Sequence, residues 1–580
     1  RLQVFLTNTL EPIEPQKNLL LPELSHEVEE AQKVKDQPIL VILGNPPYSG
    51  HSRNMGPVAR ASVQEYKKGF PDLNKPGQGK WLQDDYVKFI RFAQMKMDAV
   101  EEGVVGIITN HSWLDNPTFK GMRQSLMQTF DQIHVLDLHG NAKKKERAPD
   151  GGDDQNVFDI QQGVAISLFV KKPGLEKGVW HAELWGKRQP KYEACVGSEF
   201  SKMAWQKIAP IQPLFLFRPW DGALASKYDE FWSVRDIFAP VGDPAPGIVT
   251  THDQFAISFS KEEAIDKVER LVATSNETEA RRLFRLCSQS QWNYQEAKKK
   301  LKGGDWRNKV VPILYRPFDM RWTVWDSQVA VHRRERVMTH LLAENVALIT
   351  SRQTKGETFK HVQVTDKIAE VICMSGKTSN NGFLFPLYLY DLGGEQTENL
   401  AHDFRTYLDR LYDHPYTPEE ILGYIYAVLH APAYRARYAE FLRIDFPRIP
   451  FPEQASDFES LSALGWELMQ AHLLREVPAQ GLGSYQGRGN NEVVKPRHAE
   501  AEEALYINET QYFAPVPAQV WNFHIGGYQV LAKYLKDRKG RVLTLDEINN
   551  VEDVANVLAF TIAQMAAIDA AYQQAFAIGG

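Results

Sequence analysis

Apolar residues keep two rhythms along this chain, and the rhythm changes twice. Residues 38–43, PILVIL, form a short unbroken apolar run closed by Gly44, which predicts a fully buried strand. Between Asp84 and Glu102, the residues Val87, Ile90, Ala93, Met97 and Val100 recur at spacings of three and four, the pattern of a helix with one apolar face. Gly103 ends it, and 104–109 (VVGIIT) reads as a second buried strand. Asn116-Pro117 opens another helix in cap-then-proline order, with Phe119, Met122, Leu126 and Phe130 along one side. Strands at 133–138 and 163–170 follow, separated by a polar loop. This alternation predicts the α/β class, with a doubly wound sheet. The last two strands have no helix between them, so they are expected to pair antiparallel as a hairpin at the sheet edge.

Near residue 180 the alternation stops. Tryptophans and the pairs Arg218-Pro219 and Arg316-Pro317 appear, and strand and helix signals mix to about residue 390. From Pro418 the pattern turns helical, interrupted by the Gly- and polar-rich stretch 475–493, which reads as an exposed loop. A chain of 580 residues exceeds one hydrophobic core, so several domains are expected. With 43% hydrophobic and 24% charged residues the composition is that of an ordinary globular protein. No apolar run approaches the roughly 20 residues that span a bilayer. The net charge of −6 does not advertise a nucleic-acid partner, and the runs around Lys298–Lys302 and at 332–336 read as solvated helix faces. Cys195, Cys287 and Cys373 are too far apart for a zinc cluster or disulfide framework, which points to a reducing cytoplasm. The histidines show no paired ligand spacing, so no metal is expected.

The candidate chemistry lies at 45–48, Asn-Pro-Pro-Tyr, directly after the first predicted strand. In an open α/β sheet, ligands bind beyond the carboxyl ends of strands. The Asn45 carboxamide and the free carbonyl of Pro46, on a backbone stiffened by proline, can present two acceptors to an exocyclic amine. Tyr48 offers a face for a flat ring. The arrangement suits a planar amine such as adenine.

These four residues, with helix 84–97, strand 103–114, helix 117–130, strand 133–138 and 157-VFDIQQGVAISLFV-170 in order, resemble the S-adenosylmethionine-dependent DNA adenine-N6 methyltransferases. The resemblance implies a Rossmann-like methyltransferase sheet, N-terminally incomplete. It implies that Asn45, Pro46, Pro47 and Tyr48 form the catalytic motif, that a target adenine is flipped from the duplex, that Asn45 and Pro46 accept the N6 hydrogens, that Tyr48 stacks on the base, and that Phe158 packs beside it. The family carries a Gly-rich donor loop upstream of this motif, and only 44 residues precede Asn45 here. Asn8 and Thr9, in 6-LTNTLEP-12, are the candidates for the donor site. The expectation is that this stretch alone binds S-adenosylmethionine poorly and that the natural protein continues N-terminally.

The pieces 315-YRPFDMRWTVW-325, 350-TSRQT-354, 385-FPLYLY-390, 420–452 and 526–541 resemble, in order, the carboxy-terminal specificity region of Type ISP restriction-modification enzymes. The implied organisation is a partial methyltransferase domain at 1–185, an α+β target-recognition part at 186–400 and a helical C-terminal part at 401–580. Implied partners are double-stranded DNA and the helicase-like ATPase and nuclease domains of the same natural polypeptide, with no membrane, in a cytoplasmic prokaryotic monomer. Candidate DNA contacts are Lys143, Lys144, Lys145 and Arg147 in the polar loop, and Arg352 and Gln353 after a predicted strand. Arg316 and Arg321 have suitable chemistry, but their aromatic neighbours favour a packing role. The alternative readings are a catalytically inert DNA-binding specificity module, or the matching region of a Type IIG or phage-defence methyltransferase.

Overall fold

Strand β1 (Val41–Gly44) ends at the Asn-Pro-Pro turn and lies parallel to β2 (Gly103–Asn110), so the first two predicted strands pair as neighbours. The structure is a computed structural model. It describes residues 9–11, 30–47, 52, 54–75, 79–142, 146–238, 244–354, 356–377 and 380–577. The chain divides into two units, Arg1–Ser226 and Lys227–Gly580.

The first unit is built on one mixed sheet. β3 (Gln132–Asp137), β4 (Val164–Lys171), β5 (Gly178–Glu183) and β6 (Gln206–Ile208) complete it, in the order β1-β2-β4-β3-β5-β6. β3 and β4 pair antiparallel, as their sequence spacing predicted. They are not an edge hairpin, however: β4 is inserted between β2 and β3, and β5 and β6 extend the sheet beyond them. Val164, Ala165, Ser167 and Phe169 are all buried, and the backbone of β4 is hydrogen-bonded along both edges, to β2 and to β3. Among the described residues the edges belong instead to β1 and β6. Leu40, Val41 and Leu43, expected to be buried, are 53%, 62% and 79% exposed, because among the described residues β1 pairs only with β2.

Helices α1 (Asp85–Asp98) and α2 (Lys120–Thr129) fill the connections, with Asn116 Oδ1 accepting the Thr118 N–H at 3.0 Å just before α2. Val87, Ile90, Met97, Met122 and Leu126 pack with Val105, Ile107, Ile133, Val135 and Phe169 in one core. A third helix, α3 (Arg188–Gly197), follows β5. Arg123 is fully buried within this unit. It donates to the carbonyls of Trp113 (2.6 Å), Asn116 (3.0 Å), Leu214 (2.5 Å) and Phe215 (2.8 Å), joining two loops through one guanidinium.

The second unit carries several small sheets. Its strands include β7 (Ala245–Pro246), β8 (Val310–Arg316), β9 (Asp319–Val324), β10 (Ala347–Ser351), β11 (Val362–Thr365), β12 (Ile368–Ala369) and β13 (Gly382–Pro386). The order β11-β10-β13-β7 makes one sheet and β9-β8-β12 another. Helix α4 (Tyr294–Gly303) buries Tyr294, Ala297 and Leu301 and turns Lys299, Lys300 and Lys302 to solvent, the solvated face its sequence predicted. The predicted C-terminal helices are present as α5 (Pro418–His430), α6 (Ala455–His472) and α7 (Leu545–Ala575). The helical pattern after 418 breaks where Pro432 removes a donor. α5 and α6 cross so closely that a Cβ on Gly465 would lie 1.9 Å from the Gly423 carbonyl oxygen.

This last part is not purely helical. β14 (Ser484–Gln486), β15 (Arg497–Ala499), β16 (Ala504–Tyr506) and β17 (Tyr512–Ala514) form a sheet in the order β14-β17-β16-β15. β14 lies inside the stretch read as an exposed loop, and Val493 at its end is fully buried. α7 is long and apolar enough to cross a membrane by length and composition, which counting unbroken apolar runs did not reveal. Its Ile548, Val551, Val554, Val557 and Leu558 belong to the main core of this unit, the place of a core helix.

Arg316 and Arg321 are buried and lie 3.7 Å and 3.8 Å from the ring centres of Tyr315 and Phe259, as their aromatic neighbours implied. Arg316 donates to Glu370 at 2.8 Å, and Asp319 accepts from both Arg321 (2.7 Å) and Arg538 (2.9 Å). No disulfide joins the three cysteines; Cys195 is exposed and Cys373 buried.

Candidate active site

Strands β1, β2, β3 and β5 run in one direction, so their carboxyl ends gather on one edge of the sheet. That edge carries Asn45-Pro46-Pro47 after β1, His111 after β2, Leu138-His139 after β3 and Trp185 near the end of β5. Pro46 is buried, while Asn45 and Pro47 are exposed. Asn45 is thus accessible beside a buried proline. Tyr48 lies outside the described residues, as does Asn8; Thr9 is half-buried in a turn.

The segment after the turn is tied down by a residue the sequence reading did not single out. Lys88 on α1 is fully buried, and its Nζ donates to Ser52 Oγ at 2.7 Å and to the Asn54 carbonyl at 2.6 Å. Ser52 Oγ in turn donates to Asp85 Oδ1 at 2.6 Å. Burial lowers the lysine pKa, and the Asp85 carboxylate opposes that shift.

Phe158 is positioned by the loop between β3 and β4. Asn156 Nδ2 donates to the carbonyls of Gly140 (2.9 Å) and Gln162 (2.6 Å), and its Oδ1 accepts the Phe158 N–H at 2.8 Å. From α3, Arg188 donates to the carbonyls of Asn156 (2.7 Å) and Phe158 (3.0 Å). Lys191, also on α3, holds Asp154 at 2.7 Å with both side chains buried. The Phe158 ring is half-buried against the cluster of Leu136, Leu138, Val164 and Ala182. The structure therefore brings Asn45, Pro46, Pro47 and Phe158 to one edge of one sheet. In the same loop Arg147 is exposed and lies 4.0 Å from Asp153, so the acidic stretch partly neutralises it; Lys143, Lys144 and Lys145 lie outside the described residues.

A second group at this edge was not anticipated. His111 Nδ1 lies 3.0 Å from Asp137 Oδ1, and His139 Nδ1 lies 3.7 Å from Asp137 Oδ2. Asp137 Oδ1 also accepts the His139 N–H at 2.9 Å. Burial pushes the Asp137 carboxyl up, yet the two histidines hold it well below the usual carboxylate range. Gly163 packs against His111: a Cβ there would lie 2.3 Å from Nε2. The signal in the sequence is the spacing Asp-x-His at the end of a strand, beside a histidine at the end of its parallel neighbour.

In the second unit, Arg352 follows β10 and donates its Nε to Asp445 Oδ1 at 2.8 Å. Gln353 beside it is half-buried. The pair with Asp445 is partly exposed and therefore exchangeable for another acceptor.

Comparison with known proteins adds the lineage. A search of curated proteins found no match. Among solved structures, the chain is similar to a DrdV–DNA complex, at 22% identity and TM-score 0.70, covering 93% of this chain and 58% of that one. It is similar to the ATP-dependent Type ISP restriction-modification enzyme LlaBIII bound to DNA, at 21% identity and TM-score 0.73, covering 97% and 40%. A nuclease-deletion mutant of the Type ISP enzyme LlaGI with a DNA substrate mimic gives 20% identity, TM-score 0.69 and coverages of 94% and 54%. At these identities the likeness is one of fold, and the chain spans 40% to 58% of the length of these proteins. Residues 242–566, more than half of the chain, match the Type ISP C-terminal specificity domain, and the chain belongs to that family.

Proposed function

We propose that the chain is the methyltransferase and target-recognition end of a Type ISP restriction-modification enzyme, which methylates adenine N6 at a specific site in double-stranded DNA. The first unit is read as the later half of a Rossmann-like methyltransferase sheet. The observation that carries the reading is Asn45-Pro46-Pro47 at the carboxyl end of parallel strand β1, on the sheet edge that also holds the Phe158 loop, in one chain with a Type ISP specificity domain.

An adenine inside a duplex hides its N6 in the stack, so the base must be extruded before chemistry. Asn45 Oδ1 and the Pro46 carbonyl accept the two N6 hydrogens, which turns the nitrogen lone pair toward the methyl donor. Phe158 supplies an apolar wall for the base. Asn156 acts through Phe158 by fixing the loop that carries it, and Lys88 holds Ser52 and Asn54, downstream of the Asn-Pro-Pro segment. S-adenosylmethionine, when bound, supplies the methyl group. The described residues fit the base side of such a site; toward the donor they offer only Thr9. Among the described residues β1 pairs on one side only, which is consistent with a donor-binding half that adds strands there. The second unit is read as the DNA-reading part, with Arg352 and Gln353 as base or phosphate contacts.

The test is methyl transfer by the intact natural protein. Incubation with S-adenosylmethionine and unmethylated genomic DNA, followed by nucleoside mass spectrometry, is expected to yield N6-methyldeoxyadenosine. Asn45→Ala is expected to lower the rate by about 100-fold or more, the scale for removing one hydrogen-bond partner of the reacting group. Product in which the methyl group sits on cytosine, or an Asn45→Ala rate equal to wild type, would overturn the assignment.

A further inference from the structure

We propose that His111, Asp137 and His139 form a binding site for a divalent metal ion, zinc in the first place. This runs against the expectation from sequence, where no paired histidine spacing was visible, and it is independent of the methyltransferase reading.

One ligand atom from each of the three residues can be chosen so that all lie within 4.8 Å of one another. From one oxygen, Asp137 Oδ2, the Nδ1 atoms of His111 and His139 lie 3.3 Å and 3.7 Å away, close to the separation of roughly 3.3 Å between neighbouring ligands of a tetrahedral zinc. The side chains of His111, Asp137 and His139 are 4%, 11% and 8% exposed, so the site is enclosed by protein. Both ring nitrogens of His139 are buried, and each faces a carboxylate oxygen beyond hydrogen-bond distance, Nδ1 that of Asp137 at 3.7 Å and Nε2 that of Glu183 at 3.6 Å. An ion beside Nδ1 would complete a contact that the protein alone leaves long.

The surroundings match what metal-bound histidines require, a polar partner on the far ring nitrogen. Glu183 Oε1 lies 3.6 Å from His139 Nε2, a carboxylate facing the far ring nitrogen. The Asn141 amide lies 3.2 Å from His111 Nε2, and an amide can present its oxygen to an N–H there. Trp185 stacks on His139 with ring centres 3.3 Å apart, which fixes the plane of the imidazole. Two nitrogens and one carboxylate form a borderline-hard donor set that favours zinc or a neighbouring transition ion over magnesium or calcium. Three protein ligands leave one position of the tetrahedron for water. Placed here, the ion would clamp the ends of β2 and β3 at the root of the loop that carries Phe158.

The experiment uses the intact protein, purified without a histidine tag. Metal content is measured by mass spectrometry, and the chelator-stripped protein is titrated with Zn2+ and with Co2+ alone. The expected result is one zinc per chain and the strong visible bands of tetrahedral Co2+. His139→Asn is expected to weaken zinc binding at least about 100-fold, and Glu183→Gln about 10- to 100-fold. His414→Asn, a change at an exposed histidine elsewhere, should leave binding as in wild type. The proposal is overturned if the folded, stripped wild-type protein takes up no zinc and gives no tetrahedral Co2+ spectrum. It is also overturned if His139→Asn, folded by circular dichroism, binds zinc as wild type does. Either result makes the cluster a hydrogen-bonded network only.

Discussion

In the first unit, Arg123 and Lys88 are buried on the carbonyl and hydroxyl oxygens of loops, and Lys191 on two loop carbonyls besides the Asp154 carboxylate; in the second, Arg316, Arg321 and Arg538 are buried chiefly on carboxylates. The two arrangements do different work. A cation bound to carbonyls fixes the course of irregular backbone, and in the first unit it fixes the segments flanking the carboxyl edge of the sheet. A cation bound to a carboxylate welds elements together. Asp319 on β9 joins Arg321 of its own strand to Arg538, which also donates to Glu547 on α7 at 2.8 Å. Loops held in place suit a site that acts on a substrate. Welded elements suit a scaffold that must present a surface unchanged.

Removing one partner is the sharpest way to break this contrast. Asp319→Asn leaves two buried guanidiniums short of charge, and is expected to cost about 3–5 kcal/mol in urea unfolding. Loss of hydrogen-exchange protection should centre on β8, β9 and the start of α7. Arg123→Met strands four carbonyls and should cost about 3 kcal/mol, with exchange rising at 113–116 and 214–215 instead. Equal exchange patterns for the two variants would erase the distinction. Phe158→Ala is expected to lower kcat/KM for methyl transfer by about 10- to 100-fold, the worth of one aromatic–base contact. Arg352→Ala, whose partner Asp445 is partly exposed, should change stability by less than about 0.5 kcal/mol. It is instead expected to relax discrimination at one base pair by about 1–3 kcal/mol, read from the spread of methylated sequences.

The smallest effect is acid-linked. Burial pushes the Glu357 carboxyl up, but hydrogen bonds from His361 (2.9 Å), Asn380 (2.7 Å) and Ser375 (3.0 Å) outweigh it and bring the pKa down to about 2. A folded-state pKa below the unfolded value of 4.5 contributes stability that is complete above pH 4.5 and lost as pH falls toward 2. Glu357→Gln should therefore flatten stability against pH between about 4.5 and 2 relative to wild type, with little difference in slope at neutral pH.

β1 to β4, α1 and α2 were legible because their apolar spacing is regular, and the Asn-Pro-Pro segment because proline and asparagine have few other uses after an apolar strand; β5, β6 and α3, beyond the point where that spacing stops, were not. The insertion of β4 was not legible. Antiparallel pairing follows from chain order, but which neighbours a strand takes depends on contacts distant in sequence. Lys88 escaped notice because a lysine next to Asp84 and Asp85 on a helix reads as a surface ion pair until its burial is seen. His111 and His139 are 28 positions apart and meet only because β2 and β3 run parallel with β4 between them. In the second unit, the strands of three residues in β14–β17 are too short to show a period. The family match there rests on an ordered series of pieces that no local rule assembles.

The central claim is that the edge holding Asn45 performs adenine methylation at a site chosen by the second unit. The most direct measurement is single-molecule sequencing of DNA from cells expressing the full natural gene, beside the same gene carrying Asn45→Ala. The account predicts N6-methyladenine at one defined motif in the wild type and none in the variant. Methylation that persists at the same motif in Asn45→Ala, or its absence from both, would contradict it.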